Sequence, residues 1–303
     1  MLRDFPLVSA PRRADGPVPV RDAATVMLLR RPGGGGPGVE VFTLRRAPRM
    51  AFAAGMLVFP GGAVEPGDAD PRLPWHGPDP ADVAVALGTD VVTARSLVAA
   101  AVRETFEECG VLLAAPAGPG DGDLADGDSA DGDPADGGPH GGVDGDRWEA
   151  RRRALLAGTA TLADVLVDAG WVLRADLLRP WAHWITPAGE SRRFDTRFFV
   201  AASPPAQRAR HLPGEAAEAS WRDPAEAVRE HGAGRLPLLP PTLVALEELA
   251  AARSVPAVLA APRRLRPVSP WSVHLDGGDV LRVDLDGVGG GEPGPAPSPS
   301  PDR

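Results

Sequence analysis

The sequence AAVRETFEECGV, residues 100–111, is the stretch that decides the fold. The spacing of its apolar residues, and of those before it, predicts a helix from about Thr93 to Cys109. Glu104, Glu107 and Glu108 stand at i, i+3 and i+4 of this helix, so their carboxylates share one face. Carboxylates this close repel one another, and the helix therefore needs a cation nearby.

Spacing alone leaves two interpretations of this acidic face open. Carboxylate oxygens are hard ligands that suit Mg²⁺ or Mn²⁺, and Mg²⁺ usually completes its octahedron with waters and substrate phosphates. The alternative is a solvated acidic face, which is common on helices. The neighbouring sequence favours the metal.

The residues around the helix resemble the Nudix box, whose pattern is Gly-x5-Glu-x7-Arg-Glu-U-x-Glu-Glu-x-Gly-U, with U aliphatic. The second half of the pattern matches Arg103–Val111, with Thr105 at the first U. The first half matches Gly62 and Asp68, with Asp in place of Glu. Between the two halves lie 34 residues where the family has 7, an insertion of 27. The insertion leaves open whether Asp68 or Glu65 takes the first-half role.

A closer resemblance covers most of residues 21–250 and points to one branch of that superfamily. The branch contains peroxisomal coenzyme A diphosphatases and their bacterial relatives, and the similar runs are RDAATVMLLRR, VEVFTLRRAPRMAF, GMLVFPGGAV, AAVRETFEECGVLL, HWITP, RRFDTRFFVAA and PPT. The coenzyme A signature of related enzymes fits Thr43-x-Arg45 and Gly55-x3-Phe59-Pro60-Gly61-Gly62. The chain departs from it at Arg49, since five residues separate Arg49 from Gly55 where the signature has three.

The resemblance implies a fold class and a reaction. The fold is expected to be α/β, a mixed β-sheet sandwiched between α-helices, with long insertions. The reaction is expected to be hydrolysis of a nucleoside diphosphate linked to another moiety, with coenzyme A or acyl-coenzyme A favoured. The alternatives are an ADP-ribose or nucleotide-sugar pyrophosphatase and a catalytically weak nucleotide-sensing module. The complete set of glutamates argues against the sensor, which has no need for all the metal ligands.

The resemblance also assigns the metal-binding and catalytic residues. Glu104, Glu107 and Glu108 are expected to hold Mg²⁺ or Mn²⁺, and Arg103 to orient them by ion pairing. The general base is expected to be one of these glutamates or Glu218, which lies three residues before Trp221 in a Glu-x-x-Trp pattern. Glu215 is a weaker candidate, and an ordinary edge-strand glutamate is the simpler interpretation of Glu218.

Substrate contacts are expected from a second set of residues, namely Arg45, Gly61, Gly62 and Arg197. The paired glycines let the backbone approach the metal without a Cβ in the way. Arg197 could grip phosphate oxygens, although surface charge is its default interpretation. Core packing is the simpler interpretation of His183, Trp181 and Trp184, and a buried thiol that of Cys109.

Composition along the chain predicts its organisation. The expected units are a loosely ordered leader at 1–20, a Nudix domain at 21–260, a hairpin extension at 261–286 and a disordered tail at 287–303. Insertions within the domain are expected at about 69–92 and 114–147.

An Asp/Gly repeat of period five carries the net charge of −9. The segment 121–146 contains nine Asp and no Arg or Lys, which leaves 32 acidic and 32 basic residues elsewhere. It lacks the flanking helices and the final glutamate of a calcium-binding loop, so we interpret it as a disordered insertion. The net charge therefore says nothing about the substrate.

Composition also excludes several classes of protein. No apolar run approaches the ~18 residues of a membrane span, and the start MLRDFPLVSAPRRADG lacks a secretory apolar core. The single cysteine excludes an intramolecular disulfide, and no basic stripe indicates nucleic acid. We expect a cytoplasmic protein whose partner is a small-molecule nucleoside diphosphate derivative, with no nucleic acid and no membrane, and with a homodimer left open.

Overall fold

The computed structural model describes residues 1–6, 18–46, 55–118, 143, 145–210, 216–275 and 278–286. The strands, in chain order, are β1 (Leu2–Pro6), β2 (Val20–Arg30), β3 (Glu40–Arg46), β4 (Leu57–Val58), β5 (Gly61–Ala63), β6 (Trp75–His76), β7 (Ala114–Pro116), β8 (Trp171–Arg174), β9 (Arg179–Ile185), β10 (Arg193–Ala202), β11 (Ala216–Arg222), β12 (Pro267–Val268), β13 (Trp271–Leu275) and β14 (Gly278–Asp284). The helices are α1 (Pro80–Leu87), α2 (Val91–Cys109), α3 (Asp146–Leu156), α4 (Leu162–Ala169), α5 (Pro224–Gly232), α6 (Pro240–Ala250) and α7 (Val255–Leu259). Short 3₁₀ turns cover Pro66–Ala69 and Ala175–Leu177.

The central sheet is mixed, as the resemblance implies. Its strand order is β11-β3-β2-β10-β9-β12, with β4 beside β3 and β5 beside β2. β3 runs antiparallel to β2 and forms a hairpin with it, whereas β10 runs parallel to β2. The apolar runs at 23–31 and 39–47 favour this hairpin because aliphatic and β-branched residues fit extended, half-buried backbone.

Strand β2 shows how the domain is layered. Val26 and Leu28 pack with Leu97 of α2 in a first core cluster, which we call the α2-side core. Met27 and Leu29 pack with residues of α6 in a second cluster, the α6-side core. Successive side chains of a strand point to opposite faces of the sheet. The sheet therefore lies between helices, and the predicted α/β sandwich is confirmed.

Helix α2 begins and ends at residues suited to helix termini. Asp90 precedes its first turn and accepts a hydrogen bond from the backbone N of Thr93 at 3.0 Å. At the other end Gly110 adopts a φ of 70°, a left-handed conformation that favours glycine. The predicted helix, from about Thr93 to Cys109, is confirmed and extends two residues further toward its N-terminus.

The segment 69–92, predicted as an insertion, is folded onto the domain. It contains β6 and α1, and Ala84 and Leu87 of α1 pack in the α2-side core. This segment therefore supports α2. No single helix in the described part of the chain is long and apolar enough to cross a membrane, and α1 and α2 meet that test only as a pair bent by 88°.

The prediction of a loosely ordered leader at 1–20 is wrong for its first residues. β1 pairs with β14, and β13 completes a three-stranded sheet with them. Phe5 of β1 and Val283 of β14 are both buried in the α6-side core, which explains why this end of the chain is held. The antiparallel β13 and β14 lie in the segment 261–286, for which the sequence predicted a hairpin extension.

Most of the predicted Asp/Gly repeat at 121–146 lies outside the described residues, which leave out 119–142 and 144. Also outside them lie residues 7–17, Arg49, Glu215 and the predicted tail at 287–303. The C-terminal boundary given to the repeat is wrong. Val143 is only 2% exposed and belongs to the α2-side core. Asp146 is the first residue of α3.

Two deletions that differ only at this boundary are expected to differ in stability. Replacing residues 120–142 by a short Gly-Ser linker changes the free energy of loop closure by only about 0.6 kcal/mol per halving of loop length. Extending the deletion through 146 also removes Val143, whose burial contributes about 1.5–3 kcal/mol, and the first residue of α3. Urea unfolding of the two variants measures the difference. Equal free energies of unfolding would contradict the structural role of Val143.

Candidate active site

Arg103 lies at the centre of the acidic cluster, with a side chain only 6% exposed. Its Nε and Nη2 donate hydrogen bonds to the two carboxylate oxygens of Asp68 at 2.9 and 3.0 Å. Its Nη1 donates to Glu104 Oε1 at 2.9 Å and to Glu107 Oε2 at 3.0 Å. Its Nη2 also donates to the carbonyl oxygen of Ala63 at 2.9 Å. Because a guanidinium carries five donors in one plane, Arg103 holds these groups in one fixed arrangement.

Of the two candidates that the sequence left open, Asp68 and not Glu65 contacts Arg103. The Asp68 side chain is 1% exposed and forms the two-fold contact with Arg103, whereas Glu65 is exposed. Asp68 Oδ2 also accepts a hydrogen bond from the backbone N of Glu65 at 2.8 Å. The long insertion leaves this pair intact because β6 and α1 return the chain to α2 beside the 3₁₀ turn that carries Asp68.

Gly61 and Gly62 lie against the helix glutamates. The backbone N of Gly61 donates to Glu108 Oε2 at 2.9 Å. A Cβ on Gly62 would stand 2.3 Å from Glu104 Oε1 and 2.6 Å from its Cδ. The absence of a Cβ at residue 62 therefore lets the Glu104 carboxylate lie directly on the backbone of β5. The predicted approach of this backbone to a metal or substrate stays a prediction.

Burial determines the charge state of the cluster. It raises the pKa of Glu104 and raises that of Glu107 to about 7, although the Arg103 guanidinium opposes both shifts. Burial also lowers the pKa of Arg103, but its pairing with Asp68 and the two glutamates outweighs that effect and raises the pKa above its ordinary value. Burial thus favours the neutral forms of these two glutamates, and a bound cation would favour their charged forms instead.

The donor set fits a hard divalent cation. The cluster presents carboxylate oxygens, which Mg²⁺ and Mn²⁺ prefer. Among the described residues no three His, Cys, Asp or Glu side chains already converge on one point, and Arg103 Nη1 lies between Glu104 and Glu107. Each of these hydrogen bonds uses one carboxylate oxygen, so the second oxygen of Glu104 and that of Glu107 are not bonded to Arg103 Nη1. Glu104, Glu107 and Glu108 are therefore the residues that could hold the ion.

Gly62→Ala is expected to weaken Mn²⁺ binding about 10-fold or more, the loss typical when the support of a metal ligand is disturbed. The added methyl group displaces the Glu104 carboxylate, whose Oε1 would lie 2.3 Å from it. The electron paramagnetic resonance signal of free Mn²⁺ measures the affinity. Gly232→Ala is the matched control, since a Cβ there meets nothing within 4 Å. Equal affinities in the two variants would show that Glu104 is not a ligand.

Glu218 and Arg45 lie on β11 and β3. Their Cα atoms are paired across the two strands, and Glu218 Oε1 accepts a hydrogen bond from Arg222 Nη2 at 3.1 Å. Ala219 and Trp221 pack against the α2-side core, so the alternation of the strand directs Glu218 to the other face. The role of Glu218 as general base stays a prediction, and its surroundings do not support it.

Arg197 is buried, so its default interpretation as surface charge is wrong. It contacts Asp195 through Nη1 and donates from Nε to the carbonyl oxygen of Leu87 at 3.4 Å. Asp195 Oδ1 also lies 2.5 Å from His183 Nε2. These contacts join β9, β10 and α1, and the proposed phosphate contact of Arg197 stays a prediction.

The aromatic and thiol side chains that the sequence assigned to packing are confirmed in that role. Trp181 and Trp184 are both buried in the α6-side core. Cys109 is fully buried in the α2-side core, and burial raises the pKa of its thiol to about 12. A thiol with so high a pKa is protonated at neutral pH and is not a nucleophile.

Arg152 of α3 is a residue of this region that the sequence analysis did not single out. It is 1% exposed, and its Nε donates to the carbonyl oxygen of Glu107 at 2.9 Å. A signal for it exists in the sequence, because Trp148, Arg152 and Leu155 recur at helical spacing on the buried face of α3. An arginine in line with apolar residues on a helix indicates a buried partner.

The fold has counterparts among known proteins. The family described as the NUDT19 Nudix domain matches residues 81–249. Acyl-coenzyme A diphosphatase NUDT19 of Gallus gallus is 30% identical over 257 residues, which cover 73% of this chain and 65% of that protein. The Homo sapiens protein of the same name is 28% identical over 248 residues, which cover 70% of this chain and 61% of that protein. The chain thus spans less than two thirds of the length of these relatives.

A solved structure is similar along most of the chain. The crystal structure of a NUDIX hydrolase from Alicyclobacillus acidocaldarius superimposes with a TM-score of 0.60 at 26% sequence identity. The superposition covers 80% of this chain and 96% of that protein. It agrees with the layered arrangement described above.

Proposed function

This chain belongs to the NUDT19 Nudix family, whose match spans more than half of its residues, and from that premise we propose that it hydrolyses the diphosphate of coenzyme A or an acyl-coenzyme A with Mg²⁺ or Mn²⁺. The proposal is supported by the similarity to proteins named acyl-coenzyme A diphosphatase NUDT19. It is also supported by the fit between Thr43-x-Arg45, the turn from Gly55 to Gly62 and the coenzyme A signature.

The observation that carries the proposal is the buried arrangement around Arg103. Asp68 and Arg103 are both buried, and Glu104, Glu107 and Glu108 extend from one face of α2. Surplus buried carboxylates are costly unless a cation neutralises them. A diphosphate substrate carries negative charge of its own, so the same cation is needed to bring substrate and enzyme together.

Each residue of the cluster has its own role in the proposed hydrolysis. Glu104, Glu107 and Glu108 would hold the ion. Arg103 fixes the first two carboxylates, and the backbone N of Gly61 donates a hydrogen bond to Glu108. When bound, Mg²⁺ or Mn²⁺ supplies positive charge against the diphosphate oxygens and acidifies the attacking water. A carboxylate of the cluster accepts the proton of that water.

The bonds made and broken identify the products. The water oxygen forms a bond to one phosphorus as the bond from that phosphorus to the bridging oxygen breaks. The bridging oxygen leaves with the other phosphate. For coenzyme A this step yields 3′,5′-ADP and 4′-phosphopantetheine.

A panel of diphosphates, resolved by product mass, tests the proposal. The panel contains coenzyme A, an acyl-coenzyme A, ADP-ribose and a nucleotide sugar, each with Mg²⁺, with Mn²⁺ and with a chelator. We expect 3′,5′-ADP plus a 4′-phosphopantetheine species, released only with metal. Turnover of ADP-ribose or a nucleotide sugar alone would replace the coenzyme A assignment. Nucleotide binding without turnover of any diphosphate would identify a sensor.

A further inference from the structure

The last turn of α2 carries two of the proposed metal ligands, and its carbonyl groups need partners from elsewhere. The last four carbonyls of a helix have no partner within it. The carbonyl of Phe106 is satisfied by the backbone N of Gly110 at 2.9 Å, and that of Cys109 by the backbone N of Arg210 at 2.8 Å. The carbonyl of Glu107 is satisfied by a side chain, Arg152, which comes from α3.

The contacts of Arg152 tie three segments together at this point. Besides its bond to the Glu107 carbonyl oxygen, Arg152 donates from Nη2 to the carbonyl oxygen of Arg210 at 3.1 Å. Arg210 in turn bonds the end of α2 through its backbone. The guanidinium fork of Arg152 therefore joins α3, the end of α2 and the segment after β10.

Packing fixes the Arg152 side chain in place. Trp148, one turn earlier on α3, meets Phe106 of α2 edge to face with ring centroids 6.1 Å apart. A Cβ on Gly110 would stand 3.1 Å from Arg152 Nη1, so this glycine also makes room for the guanidinium. A positive charge at a helix C-terminus is stabilised by the helix dipole.

We propose that Arg152 is a positioning residue that sets the metal-ligating carboxylates of Glu107 and Glu108 by holding the last turn of α2. The inference rests on the proposed metal-dependent function. Without Arg152 the buried Glu107 carbonyl loses its hydrogen bond, and a buried unpaired acceptor shifts or gathers water. Both glutamates are attached to that turn, so their carboxylates move with it.

Mn²⁺ binding to the full-length protein, followed by the resonance signal of the free ion, tests this role apart from turnover. Arg152→Met is expected to weaken binding about 10-fold or more, within the 10–100-fold range typical of residues that support metal ligands. Arg152→Lys keeps the charge but replaces the planar guanidinium fork by a single nitrogen, and an intermediate loss is expected. Arg153→Met, one residue along α3 on an exposed side chain, is expected to bind like the unaltered protein.

Circular dichroism and melting temperatures confirm that each variant is folded at the temperature of measurement. If Arg152→Met does not fold, the Arg152→Lys variant carries the test, and an affinity equal to that of the unaltered protein overturns the proposal. A folded Arg152→Met that melts earlier but binds Mn²⁺ normally also overturns it, and leaves the proposed hydrolysis standing. If the unaltered protein does not bind Mn²⁺, both the positioning role of Arg152 and the proposed metal-dependent hydrolysis are contradicted.

Discussion

Replacing Glu107 with Gln is expected to lower kcat for diphosphate hydrolysis by at least about 100-fold while the protein stays folded. Losing a direct ligand costs more than the 10–100-fold seen for residues that only support one. The fold is expected to survive because burial already disfavours the charged form of Glu107, whose pKa it raises to about 7. A neutral amide of the same shape can still accept the hydrogen bond from Arg103 Nη1.

Glu108→Gln is expected to cause a loss of similar size, since its carboxylate is held beside Gly61 at the same cluster. Steady-state kinetics at saturating Mg²⁺, with melting temperatures in metal-free buffer, separate activity from folding. Glu226→Gln on the exposed face of α5 is the matched control and is expected to behave like the unaltered protein. Rates near the unaltered value in both cluster variants would refute the metal assignment.

Arg103→Met is expected to destabilise the protein by about 3–5 kcal/mol, the typical cost of removing one partner of a buried ion pair. The change leaves Asp68 with a side chain 1% exposed and no guanidinium beside it. It also frees Glu104 and Glu107 to repel each other. Arg103→Lys is expected to recover only part of the loss, because an ammonium cannot reproduce the planar fork.

The free energy of unfolding in urea and metal-free buffer measures this effect, and Arg72→Met provides a matched control. Arg72 also pairs with two carboxylates, Asp70 at 2.6 Å and Asp164 at 2.9 Å, but its side chain is 61% exposed. Exposed pairs contribute about 0–1 kcal/mol. A cost for Arg103→Met no larger than that for Arg72→Met would contradict the importance of the buried network.

Features of α2 could be predicted from the sequence because they depend on neighbours within a few residues. The helix follows from apolar spacing, its end from Gly110, and the shared face of its glutamates from the helical repeat. The β2–β3 hairpin could be predicted for the same reason, since only one short connection separates its two apolar runs. Recognition of the Nudix box depended mainly on its continuous second half, Arg103–Val111, since an insertion of 27 residues separates the first half from it.

For residues on strands, the face of the sheet on which each side chain lies could not be predicted so well. Glu218 follows a familiar Glu-x-x-Trp pattern, but strand alternation places Trp221 toward α2 and Glu218 on the opposite face. Arg197 lies in a run rich in arginine, yet it is buried and contacts the carbonyl oxygen of Leu87 in α1. A one-residue difference in a strand reverses the face, so sequence spacing alone does not assign such residues.

By itself the sequence determined the family, the helix that carries the glutamates and the chemistry those glutamates suit. The tertiary structure decided which partners support them. Asp68 meets Arg103 across 35 residues of chain, and Arg152 meets the Glu107 carbonyl across 45. Local propensity carries no information on such pairs, because the two members come together only when the intervening insertions fold and return the chain to α2. The buried surroundings that raise the pKa of Glu107 likewise form only when these segments fold against α2.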